Sequence, residues 1–103
     1  MSVFLINSYD IHDAEEFKKY GPAALPLIHR HGGEVLASDV QGETVEGKPR
    51  IMNAIIRFPS REAVWQCYHD PDYEAVKQIR HRSTSNTCMV IVKPFAVVKA
   101  SGF

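Results

Sequence analysis

Cysteine, net charge and long apolar runs are what this 103-residue sequence has least of. Its two cysteines, Cys67 and Cys88, stand in helical or apolar contexts, which is the pattern of reduced thiols rather than of a secreted disulfide scaffold. Twelve basic residues balance twelve acidic ones, so the net field gives no electrostatic reason to bind nucleic acid or an anionic membrane surface. The opening apolar stretch, Val3-Phe4-Leu5-Ile6, reaches Asn7 and Ser8 after four residues, too few for a signal peptide or a membrane span. A cytoplasmic location is expected, with neither nucleic acid nor membrane as partner. There is also no Ser-His-Asp order, no phosphate-cradling glycine loop and no dinucleotide fingerprint. No linker, low-complexity run or repeat divides the chain, so residues 1–103 are expected to form one domain. That length lies near the lower end of sizes that bury a self-sufficient core, which makes oligomerisation an expectation.

What is present alternates between two kinds of pattern. Val3 to Tyr9 has the apolar and aromatic composition of a strand. Asp13 and Glu16 form the outline of a capping box, and Ala14, Phe17, Gly21, Ala24, Leu25 and Ile28 follow at helical spacing, with Pro22 and Pro26 bending the helix. Gly32-Gly33 ends it. Glu34 to Asp39 and Ile51 to Phe58 read as strands joined by a polar connection through Gly42, Gly47 and Pro49. Ser60 caps a second helix, which the Asp70-Pro71 pair interrupts before the pattern resumes from Tyr73 to about Arg82. Thr87 to Lys93 reads as the last strand. The order βαββαβ predicts an α+β, ferredoxin-like fold: a four-stranded antiparallel sheet with helices on one face.

Both faces of that sheet are apolar. Met52, Ala54, Ile56 and Phe58 point one way while Ile51 and Ile55 point the other, and Val90 and Val92 oppose Met89 and Ile91. The helices suffice to cover one face only, so a second subunit is expected on the other. Roughly 600 Å² of apolar sheet per subunit, at about 25 cal/mol per Å², is worth roughly 15 kcal/mol before association costs. The apolar segment Phe95-Ala96-Val97-Val98 in the tail of residues 95–103 is expected to cross to the partner, since four apolar residues make a poor solvated end.

Several residues together resemble the family known as domain of unknown function 1330: a Tyr-ended first strand, Asp13 with Tyr20, Gly32-Gly33, Glu46-Gly47, Phe58-Pro59-Ser60, Tyr68 with Pro71 and Tyr73, and Arg80. The resemblance runs from Tyr9 to about Ile91, with Cys67 standing where members often carry an aromatic residue. It implies membership of the dimeric α+β barrel superfamily, in which sheets pair face to face and pockets lie between each sheet and its own helices. That superfamily includes cofactor-free monooxygenases, lactone isomerases, cyclases and haem enzymes, so the resemblance fixes no single chemistry.

The candidate site residues follow from helical geometry and residue chemistry. At 100° per residue Tyr73, Val76 and Arg80 share one sector, so Arg80 borders the buried stripe and its guanidinium can reach inward. There it either clamps a planar oxyanion or pairs with a carboxylate such as Asp13 or Glu46. Tyr9, Tyr20, Tyr68 and Tyr73 either close the core or line a phenolic substrate pocket. His12 and His69 are candidates for a general base at a pocket mouth. His29 and His31 are splayed by 200° on a helix, and no metal site is expected. His81 belongs to the basic run with Lys77, Arg80 and Arg82, whose simplest reading is a solvated helix end. Two functions remain: a homodimeric enzyme needing no cofactor, of isomerase, cyclase or monooxygenase type, acting on a small carbonyl, carboxylate or phenolic compound; or a non-catalytic dimer that binds a small organic ligand or is purely structural, its pocket merely core.

Overall fold

Asp13 opens the first helical segment by accepting the Glu16 N–H at 3.1 Å, the cap its sequence position suggests. Glu16 does not return the bond; its carboxylate instead takes Lys19 and Arg82, at 2.9 and 2.7 Å. The computed structural model describes residues 1–95, and the expectation for the tail therefore lies, apart from Phe95, outside the described residues. The element order is β1 (Val3–Ile11), α1 (Ala14–Phe17), α2 (Tyr20–Arg30), β2 (Glu34–Asp39), β3 (Met52–Phe58), α3 (Arg61–Tyr68), α4 (Pro71–Ser83) and β4 (Thr84–Val92).

One bent helix was the expectation for residues 13 to 31, and two segments are found. Pro22 has no N–H for the Lys18 carbonyl, so the ladder lapses at Lys18-Lys19 and restarts at Tyr20 with Pro22 in its first turn, where a missing donor costs least. Asp70 caps α4 by accepting the Asp72 N–H at 2.9 Å, with Pro71 as its first residue. The last helix passes directly into β4, three residues earlier than its composition suggests. Ser83 and Thr84 hydroxyls donate to the Ile79 and Arg80 carbonyls at 2.7 and 2.6 Å, satisfying carbonyls that the ending helix leaves open.

The four strands are antiparallel in the order β2-β3-β1-β4, the ferredoxin-like arrangement. Along β3 burial alternates strictly, with Met52, Ala54, Ile56 and Phe58 inside, because successive side chains leave opposite faces. The helices lie over this inner face, where Val3, Ile56 and Phe58 pack against Ala63, Val64 and Cys67 of α3. Gly33 lets the chain turn tightly from α2 into β2: a Cβ there would meet Ile28 Cγ2 at 2.5 Å and Phe58 Cε1 at 2.9 Å. On the outer face Ala37, Ile55, Ile6 and Val90 stand in one row across all four strands, and all four are exposed apolar side chains. Among the described residues no helix is long and apolar enough to cross a membrane.

Candidate active site

The inner face is not filled evenly. One apolar cluster centres on Phe58 and α3, a second on Tyr9, Met52 and Ala54, and a third on Ala24, Leu27 and Tyr73 between α2 and α4. Between them lies a cavity of about 460 Å³, within the usual range for small-molecule sites. Its floor includes Leu5 and Asn7 of β1 and Met89 and Ile91 of β4, and its roof includes Tyr68, Tyr73 and Arg80. The exposed Trp65, His81 and Thr87 also line it, so on that side it opens to solvent.

Arg80 occupies the wall of this cavity with only 2% of its surface exposed. Among the described residues no carboxylate lies within 4.0 Å of it. Neither alternative partner named above is used: Asp13 serves as a helix cap, and Glu46 is exposed in the β2–β3 connection. Its surroundings are phenolic instead, with the guanidinium carbon 5.9 Å from the Tyr20 ring centroid. Burial opposes the Arg80 charge, but the Tyr20 and Tyr73 oxygens outweigh it and leave the pKa above its ordinary value. The hydroxyls of Tyr20 and Tyr73 share a hydrogen bond. Burial, reinforced by Tyr73, holds the Tyr20 phenol far above its usual range, so it remains a neutral hydroxyl.

The four tyrosines separate into two groups. Tyr20, Tyr68 and Tyr73 line the cavity, and Tyr68 carries the Lys77 ammonium 4.0 Å over its ring, a cation–π contact. Tyr9 lies outside the lining, packed edge-on against Phe17 with ring centroids 5.8 Å apart; burial pushes its phenol up to about 12, against the lowering effect of Arg80. The histidines named as candidate bases are elsewhere. His12 is exposed at the end of β1 with its N–H donated to the Ser83 carbonyl. His69 stacks on Trp65 at 5.6 Å over a shallow surface groove with Arg61, Glu62 and Gln66.

The structure adds two residues that the sequence reading passed over. His81, read as a solvated part of the basic helix end, lines the cavity beside Arg80. Partial desolvation, together with the neighbouring Arg80 and Lys77 charges, lowers its pKa, which favours the neutral imidazole. Asn7 is 8% exposed on the inner face. The signal for it was available: Val3, Leu5, Asn7 and Tyr9 alternate onto one side of β1, and Asn7 is the polar exception. Cys67, also in the lining, has its thiol pushed up to about 11 by burial and by Asp70, which makes it a poor nucleophile. Among the described residues no group of three or more His, Cys, Asp or Glu side chains is disposed to hold a metal ion.

Residues 2–95 match the family described as Domain of unknown function (DUF1330). The chain belongs to that family. Solved structures similar to this DUF1330 chain include the RPA0582 protein of unknown function from Rhodopseudomonas palustris, 19% identical with a TM-score of 0.80 over 92% of this chain and 83% of that one. SnoaB, a cofactor-independent oxygenase from Streptomyces nogalater, is 13% identical with a TM-score of 0.71, covering 95% of this chain and 97% of its own. A dimeric protein of unknown function and ferredoxin-like fold from Bacteroides fragilis is 13% identical with a TM-score of 0.57, over 89% and 95% of the two chains. At these identities the likeness is one of fold. No curated protein matches this DUF1330 chain.

Proposed function

We propose that this chain is a small homodimeric enzyme that uses no resident cofactor and acts on a planar carbonyl, carboxylate or phenolic compound held between its sheet and helices. The observation that carries this reading is Arg80: a guanidinium buried in a cavity wall, with no carboxylate beside it among the described residues. A buried charge of this kind is costly unless it is paired. The oxyanion of a bound ligand supplies the missing counter-charge, and the flat fork of Arg donors suits a planar acceptor.

Isomerisation, cyclisation and oxygenation of such compounds share a first step, removal of a proton next to a carbonyl or from a phenol. The C–H or O–H electron pair becomes an enolate or phenolate whose oxygen Arg80 holds, and the proton passes to the neutral imidazole of His81 at the solvent side. His12 and His69 stand outside the cavity lining, so the base role is assigned to His81. The cofactor-independent oxygenase among the similar structures supports the absence of a resident cofactor. The dimeric neighbour and the apolar outer face support a homodimer, which leaves the inner cavity of each subunit free.

Titration of the protein with benzoate, phenylpyruvate and benzamide tests the reading. The two acids are expected to bind at least tenfold tighter than the amide, with that preference abolished in Arg80→Met; acid binding unchanged in Arg80→Met would refute it. Arg80 also suits a non-catalytic carrier. Deuterium exchange at the carbon next to the phenylpyruvate carbonyl separates the two: acceleration lost in His81→Gln marks an enzyme, and no acceleration marks a carrier.

A further inference from the structure

Two buried side-chain polar atoms have no protein partner among the described residues, Asn7 Oδ1 and Arg80 Nε. Both belong to residues of the same cavity wall, Asn7 on the floor and Arg80 on the roof. Unpaired buried polar atoms are rare in folded proteins, and each one needs a reason. Coincidence at one cavity gives these two a common one.

We propose that Asn7 is the second recognition group of this cavity, and that the ligand pairs an acceptor oxygen for Arg80 with a hydroxyl that donates to Asn7: a hydroxy acid or hydroxy ketone rather than a simple acid. This rests on the small-molecule reading of the cavity given above. Asn7 does nothing for the fold that an apolar residue would not do better. Its inward neighbours along β1 are Val3, Leu5 and Tyr9, and its cross-strand neighbours are Ala54 and Met89. Asparagine is disfavoured in strands, and here it is desolvated without recompense.

The chemistry of the two groups fixes what complements them. Arginine carries five N–H donors and no acceptor. The Tyr20 and Tyr73 oxygens lie beside it, but its Nε has no partner among the described residues, so that donor remains for a ligand oxygen. Asn7 offers a buried acceptor oxygen without a partner on the cavity floor, where arginine supplies none. Its last torsion is broad and soft, so the amide turns toward a ligand at little cost. A hydrocarbon satisfies neither group and a carboxylate only one. A molecule bearing both a carbonyl or carboxylate and a hydroxyl satisfies both.

The test uses the full chain and six probes, the 2-, 3- and 4-hydroxybenzoates and the methyl ether of each, titrated calorimetrically. At least one isomer is expected to bind tenfold or more tightly than its ether. Asn7→Leu is expected to reduce that ratio to within twofold, while Arg80→Met weakens acid and ether alike. A ratio near one for every isomer, or a ratio that survives in Asn7→Leu, overturns the role of Asn7 and leaves that of Arg80 standing. Failure of all six to bind overturns both. A second readout needs no ligand: replacing an unpaired polar side chain with an apolar one of similar size should raise the melting temperature by several degrees. A melting temperature that falls, or a variant that does not fold, shows Asn7 to be structurally paired and ends the proposal.

Discussion

Ile6 and Ile55 stand opposite each other on β1 and β3, on the sheet surface that no helix covers, each 37% exposed. Val90 extends the row on β4, and Cys88 lies on the same face opposite Ser8. A flat apolar row of this kind is an association surface in a monomer and a buried core in a dimer. Ile55→Asp is expected to weaken self-association by at least a hundredfold in sedimentation equilibrium. If the proposed dimer buries this face, the same variant should let a thiol reagent label Cys88 faster than in wild type; equal labelling of both would move the interface elsewhere.

Gly33, just after α2, sits hard against Ile28 and Phe58. Its replacement by alanine drives a methyl group against Ile28 Cγ2, Phe58 Cε1 and, at 3.0 Å, the Ile28 carbonyl oxygen. Ile28 can shift only by disturbing Phe58, which is 1% exposed. Overpacking of this type costs about 1–3 kcal/mol. Urea denaturation of Gly33→Ala should show that loss as a lower midpoint with an unchanged slope.

Acid stability should depend on Asp70. Its carboxylate accepts from His31 at 2.7 Å, from the Asp72 amide and from Arg30 at 3.0 Å, and these bonds hold its pKa down to about 2. In the unfolded chain the same group takes its proton near 3.9. Below that pH the unfolded state binds more protons than the native one, so the stabilisation present above about 4 is lost as pH falls toward 2. Thermal melts between pH 5 and 2 should fall less steeply for Asp70→Asn than for wild type. Asp10 and Glu16, whose pKa values are also lowered, supply the residual slope.

Tyr9 gives the opposite limb. Its buried phenol holds its proton to about 12, whereas an unfolded tyrosine ionises near 10. Stability is therefore complete below pH 10 and is lost as pH rises toward 12. Tyr9→Phe should resist alkaline unfolding better than wild type while differing little at pH 7. Melting curves at pH 7 and pH 11 check both halves of that expectation.

Most of the fold was legible because it is written in local chemistry. Asp13 and Ser60 each accept the backbone bond that their position beside a helical pattern implies, and Gly32 ends α2 with φ of 79°. Boundaries set by tertiary contacts were not. β4 starts at Thr84 because Ser83 and Thr84 turn their hydroxyls back onto α4, and because Asn86, at φ 56°, reaches Asp10 with its amide at 2.9 Å. For the site, helical spacing was enough to bring Arg80 inward, since the buried stripe of α4 is a matter of angle alone. Whether a carboxylate waits there depends on three-dimensional neighbours, and so does the placement of His81. Asn7 was readable in principle from the alternation of β1, although its lack of a partner was not.

β1 is the strand through which both faces of the molecule are specified at once. Asn7 looks into the cavity, while Ile6 and Ser8 on either side of it look out toward the sheet surface. A one-residue slip in this strand would exchange the two sets, sending the amide to the outer surface and the isoleucine into the cavity. The proposed subunit contact and the proposed ligand preference are thus separable by substitution but not by insertion or deletion here. On the proposed function, substitutions on one face leave the other face unchanged, provided the length of β1 is left alone.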